Sequence, residues 1–155
     1  MNADTRRPLP RTVVGALLLI PILVAGLSSA APRAADAAPD QATAYFIEPR
    51  DGDRVGSPVV VRFGLRGMGV APAGTQREGT GHHHLLIDVD DIDLEMPIPT
   101  DERHRHFGGG QTETLLELPP GRHSLQLLLG DFAHRPHSKP VMSEKIEIEV
   151  VAPQP

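Results

Sequence analysis

The chain has 155 residues, 15 Lys+Arg against 20 Asp+Glu, eight histidines and no cysteine. One domain is expected at this length. The missing cysteines exclude a disulfide framework, a thiolate metal site and a lipid-modified amino terminus. The acidic balance lacks the positive field that phosphate backbones need, which argues against nucleic acid as a partner and against anionic lipid.

Residues 1–37 read as an export signal and processing region. Arg6, Arg7 and Arg11 form a basic start, Thr12 to Leu27 is an apolar run broken by Pro21, and small residues follow at Ser28-Ser29-Ala30 and Asp36-Ala37-Ala38. Cleavage is expected after Ala30 or after Ala37. A membrane span wants about 20 apolar residues, so no stable span is expected once the signal is removed. Thr5-Arg6-Arg7-Pro8-Leu9 resembles a twin-arginine signal, with Pro10 where a hydrophobic residue is usual; an ordinary secretory signal remains open. Removing residues 1–37 takes four of the 15 basic and two of the 20 acidic side chains, leaving a net charge of −7. The expected location is the periplasm or the outside of a bacterial cell.

The remainder, 38–155, is expected to be a single β-sandwich domain. Ala31 to Gln41 has no periodicity and reads as a tether, with the first strand at Ala44 to Glu48, stopped by Pro49 and a turn at Asp51-Gly52-Asp53. In the second, from Pro58 to Arg66, Val59, Val61, Phe63 and Leu65 share one face at period two. Gly67 to Gly81 holds five glycines and reads as a loop near the length at which loops become uncommon unless functional or disordered. The third strand, about His82 to Val89, puts His83, Leu85, Ile87 and Val89 on one face and His82, His84, Leu86 and Asp88 on the other. Ile92 to His106 is acidic and proline-punctuated, and Gly108-Gly109-Gly110 follows. The fourth strand runs from Thr112 to Leu118, and Pro119-Pro120-Gly121 is a turn. The fifth, Arg122 to Gly130, has His123, Leu125, Leu127 and Leu129 on one face. Asp131 to Pro140 is a loop, and Met142 to Val151 is the last strand. The fold class is therefore all-β: an immunoglobulin-like antiparallel β-sandwich of about six to seven strands.

Several of these stretches resemble a bacterial family, domain-of-unknown-function family 4399. They are Val61-Arg62-Phe63-Gly64-Leu65, Gly67-Met68-Gly69-Val70-Ala71-Pro72-Ala73-Gly74, Gly79 to Asp88, His106 to Glu113, Pro120 to Leu127, Leu129-Gly130-Asp131, His134, Pro136-His137 and Pro140 to Ser143. The resemblance implies an exported, stand-alone bacterial domain and assigns no site residue.

The histidines carry the chemistry. Imidazole without thiolate suits zinc, copper(II), nickel or iron. His82 and His84 lie two apart on a strand and project to one side, and His104 and His106 repeat the spacing. His134 and His137 lie on a loop at a strand end, where sandwich sites are built. Asp131, with Asp88, Asp101 and Glu102, is a candidate ligand or a partner holding ring orientation. If the third and fifth strands are antiparallel neighbours, the amino end of one meets the carboxyl end of the other. A site drawn from His82, His83, His84, His104, His106, His134, His137 and Asp131 is then feasible. His123 lies at the far end and is expected to be a hydrogen-bonded structural residue.

The expected function is an exported binding module taking a divalent transition metal, copper or zinc, and supporting metal carriage or another envelope protein. The alternative is a structural or interaction module in which His82 and His84 sit on a solvated face and the other histidines order loops. A metal-dependent hydrolase is a third reading. Either cleavage leaves alanine first, which excludes a copper brace built on an amino-terminal histidine. No nucleophile elbow or phosphate-binding glycine motif is present.

Overall fold

A computed structural model describes residues 38–152; the export signal expected over 1–37 lies outside them. Nine strands follow in order: β1 Thr43–Glu48, β2 Arg54–Val55, β3 Val59–Arg66, β4 Gly69–Val70, β5 Thr80–Ile87, β6 His104–His106, β7 Glu113–Leu116, β8 Gly121–Gly130 and β9 Ile146–Val150. There is no helix among the described residues. The six expected strands are all present with trimmed or shifted ends. The three additional ones are only two or three residues long and come from segments read as connections.

The strands form two sheets, β1-β3-β7 and β2-β9-β8-β5-β4, with β6 pairing β5 beside β4. β5 and β8 are antiparallel neighbours from His82↔Gly130 to Ile87↔Leu125, as the sequence requires for its histidine groups to meet. Two pairings are parallel, β2 with β9 and β4 with β5, so the larger sheet is mixed.

The core lies between the two sheets. Val59, Val61 and Phe63 of β3, with Ala44 and Leu116, face Leu85, Ile87, Leu125, Leu127, Ile146, Ile148 and Val150 of the larger sheet. Period-two alternation is clean in β3 and β9, which bury one face only. Each fully buried leucine here contributes about 1.5–3 kcal/mol relative to exposure. Packing begins earlier than Ala44: Ala38 lies against Leu129 and Val141.

β5 departs from alternation, with every residue from Gly81 to Ile87 buried. The cause is a second apolar layer on the outer face of the larger sheet. Val89 and Ile98, with Ile92, Leu94 and Met142 around them, pack over Leu86 and Leu128. The proline-punctuated connection after β5 is thus a cover. The outer face of β5 is dry, and the solvated face entertained for His82 and His84 is not what forms.

Candidate metal centre

β5 divides its histidines between two environments. His83 points into the sandwich with Leu85 and Ile87, its ring edge-on to Phe63 at 4.8 Å between centroids. Neither of its ring nitrogens has a hydrogen-bond partner, and burial pushes its pKa down to about 4. His82 and His84 point to the other face, under the cover. β6 runs antiparallel beside them and sets His106 directly opposite His84. Across-strand neighbours share a face, so the His106 ring joins the other two.

Two glycines make the room. A Cβ on Gly130, opposite His82, would lie 2.9 Å from His84 Nε2, and one on Gly108 would lie 2.3 Å from His106 Cε1. The fourth ring comes from the loop after β8. His134 has φ 62°, a left-handed conformation that costs a non-glycine residue free energy. Tight local bonding holds it there: its N–H donates to the Asp131 carbonyl at 3.0 Å, and its own carbonyl accepts from Ile98 N–H at 2.7 Å.

The four rings converge. His84 Nε2 lies 3.1 Å from His82 Nε2. One ligand atom from each of His82, His84 and His106 falls within 4.8 Å of the others, so the triad could hold a metal ion. Centroid separations are 5.0 Å for His82–His84, His82–His106, His82–His134 and His84–His106, 4.7 Å for His106–His134 and 6.1 Å for His84–His134. His82 and His84 are fully buried, whereas His106 and His134 are half-buried and form the solvent side.

The electrostatics keep the His82, His84 and His106 rings neutral. Burial, and then the like charges His106 and His134 would carry, push His82 down to about 4, while Asp131 pulls weakly the other way. Burial, followed by His82 and its neighbours, pushes His84 down to about 3. His106 is lowered by burial and by His134. At neutral pH His82, His84 and His106 therefore each offer a lone pair. His82 Nδ1, His84 Nδ1 and His106 Nε2 are buried without a partner. If His82 and His84 share a proton between their Nε2 atoms, the accepting ring must carry its own proton on an Nδ1 that has no acceptor. An unmet buried donor costs about 1–3 kcal/mol. If neither Nε2 is protonated, two lone pairs face each other at 3.1 Å, an arrangement that a cation relieves.

The remaining candidates lie elsewhere. His104 sits opposite Leu86, but its Nδ1 is 2.8 Å from Asp101 Oδ1, a contact within one turn of chain. Asp131 Oδ1 accepts the N–H groups of Ala133 and Arg135 at 2.8 and 2.9 Å, so its carboxylate shapes the loop that carries His134. His137 is buried with an unpartnered Nε2 and lines a cleft with Asp131, Glu95 and Arg135. His123 has Nδ1 at 2.8 Å from Asp88 Oδ2 and Nε2 at 2.9 Å from the Pro119 carbonyl, the hydrogen-bonded structural histidine expected. The reading of the residues missed Gly108 and Gly130 as space-makers. The available signal was a glycine at the end of an apolar strand, where alternation calls for a side chain.

A two-sheet β domain with a histidine triad able to hold a metal, and a fourth histidine beside it, is the class this geometry defines. The chain belongs to the family DUF4399, a domain of unknown function, which matches residues 61–151 and so spans all eight histidines. No curated protein and no solved structure matches it.

Proposed function

We propose that this domain is an exported, periplasmic binding module that holds a divalent transition metal, copper or zinc, through His82, His84 and His106, with His134 completing the set. One observation carries the reading: His82, His84 and His106 bring ligand atoms within 4.8 Å of one another, two of them buried ring nitrogens 3.1 Å apart, with the His134 ring beside them. All-imidazole donors with no thiolate suit zinc, copper or nickel over magnesium or calcium, which want oxygen. Two buried ligands on a central strand give firm placement. Two half-buried ligands on the solvent side give the ion a way in and out. That combination fits carriage or buffering of a metal, or its delivery to another envelope protein. The basic, apolar and small-residue order of residues 1–37 supports export.

A structural module is the second reading, favoured by the same 3.1 Å contact taken as an imidazole–imidazole hydrogen bond. Calorimetry separates the two. The untagged protein, purified without nickel affinity and stripped with a chelator, is titrated with Zn(II) and Cu(II). The metal reading expects one equivalent bound at submicromolar Kd. It also expects a rise in Tm, because binding to the native state alone stabilises by about 2.7 kcal/mol at a hundredfold excess over Kd. Weak binding of several equivalents with no change in Tm would leave the structural reading.

A further inference from the structure

The six ring separations within the cluster constrain which ion it takes, an inference that rests on the metal-binding reading above. With imidazole nitrogens about 2.0–2.1 Å from an ion, each ring centroid lies about 3.2 Å from it. Four rings at tetrahedral positions then stand about 5.2 Å apart in every pair, whereas a square plane sets four pairs at about 4.5 Å and two opposite pairs at about 6.4 Å. The cluster has one longer pair, His84–His134 at 6.1 Å. Its complement, His82–His106, stands at 5.0 Å, and the other four lie between 4.7 and 5.0 Å. This is a tetrahedron drawn out along one edge.

The frame opposes flattening. A square plane would have to part His82 from His106 by more than about 1 Å. Both are held by the strand that pairs on its two edges, His82 through β8 and His106 through its ladder partner His84. Ile98 and the Gly130 backbone close the space beside His84: a Cβ built on Gly130 would already lie 3.3 Å from Ile98 Cδ1. Asp131 turns Oδ1 to its own loop, where it accepts two backbone N–H groups.

We propose that the four-histidine cluster is a tetrahedral site that favours zinc(II) over nickel(II) and cuts the usual advantage of copper(II) over zinc(II) to about tenfold or less. The general affinity order places copper(II) above zinc(II) at any unconstrained nitrogen site, so geometry here works against that order.

The test uses the whole untagged protein with three probes: competitive titration of Zn(II) with Cu(II) and Ni(II), the visible spectrum of the Co(II) form, and the same spectrum for His134→Ala. Co(II) bound tetrahedrally absorbs intensely, and in six-coordinate or tetragonal sites it absorbs weakly. The expected result is an intense Co(II) spectrum, with copper(II) favoured over zinc(II) by no more than about tenfold and nickel(II) weaker than zinc(II). His134 lies on a half-exposed loop, so its replacement leaves the sheets intact, and the Co(II) bands should collapse in intensity. Weak Co(II) bands, a tetragonal Cu(II) resonance with copper favoured by several decades, or an unchanged spectrum in His134→Ala would each overturn the selectivity while leaving a metal site in place. Failure of all four ions to bind would overturn the metal-binding reading itself.

Discussion

The two ends of the β5–β8 ladder hold histidines of opposite character. At one end the rings of His82, His84, His106 and His134 crowd together, the Nε2 atoms of His82 and His84 face each other, and burial holds His82 and His84 down at about 4 and about 3. At the other end His123 is also largely buried, and burial alone would lower it too. The Asp88 carboxylate and the Pro119 carbonyl outweigh that and raise it. Both His123 nitrogens have oxygen acceptors, so the ring is at its best as a cation that ties the end of β5 to the turn before β8. What separates a candidate ligand from a staple is therefore not depth but the atoms the nitrogens meet. A ring surrounded by acceptors keeps its proton, whereas a ring surrounded by other rings gives it up and presents a lone pair.

Substitution at each end should break the comparison most sharply. His84→Gln keeps a polar side chain of similar reach but removes the imidazole, and zinc affinity should fall more than a hundredfold, beyond the roughly 10–100-fold that outer partners of a metal site command. His123→Ala should bind zinc as the parent does. It should lose about 1–3 kcal/mol of stability at pH 6, the scale of a hydrogen-bonded charged group, read by urea denaturation. If His123→Ala abolished binding and His84→Gln did not, the assignment of the two ends would be reversed.

Acid should pull the ends in opposite directions in the metal-free protein. His82, His83 and His84 titrate near 4, 4 and 3 in the fold against an ordinary value of 6.5. The unfolded chain therefore takes up protons between pH 6.5 and 3 that the fold refuses, and stability falls as pH drops through that window, by up to about 1.4 kcal/mol per unit for each group. His123 is raised, so its contribution is fully present below pH 6.5 and is lost as pH rises through its folded value. Denaturation midpoints from pH 8 to pH 4 should thus fall less steeply in His84→Gln than in the parent. In His123→Ala the deficit should be largest at the acid end. Identical profiles for the three proteins would refute the opposition.

Much of this was legible in the residues and some was not. The run His82-His83-His84 followed by alternating apolar residues shows which histidine turns to the core, and the long apolar fifth strand marks its neighbour. Local spacing misleads at His104 and His106, which repeat the His82–His84 interval. Asp101, three residues before His104, captures one ring and leaves the other for the cluster. The cover over the outer face was hidden because Ile92, Leu94 and Ile98 lie in an acidic, proline-punctuated stretch that reads as a connection, and because Val89, read in step with Leu85 and Ile87, turns to the outer layer instead; burial there depends on where the chain crosses the sheet. Convergence of His134 depends in the same way on a turn fixed by one carboxylate.

The glycine that admits the His106 ring sharpens the comparison further. Gly108→Ala places a methyl group in the space of the His106 ring, 2.3 Å from Cε1. His106 is half-buried on a three-residue strand at the sheet edge, so the ring can swing out with the fold intact. Zinc affinity should fall by about tenfold or more, with His82 and His84 left in place, while Tm of the metal-free protein changes little. A large loss of Tm with unchanged affinity would mean that Gly108 serves the chain path alone.

The smallest effect expected is at Asp131. Its Oδ1 fixes the loop through the N–H groups of Ala133 and Arg135, and the loop holds His134 at a positive φ. Asp131→Asn retains an oxygen acceptor and should keep the loop while removing the charge beside His82. Asp131→Ala removes the acceptor and frees His134 to leave its strained conformation. Zinc should dissociate about tenfold faster from Asp131→Ala, the low end of what outer partners contribute, and nearly normally from Asp131→Asn, measured by chelator capture in stopped flow. Equal acceleration in both variants would assign Asp131 an electrostatic role toward the ion, and no acceleration in either would show that the loop holds His134 without it.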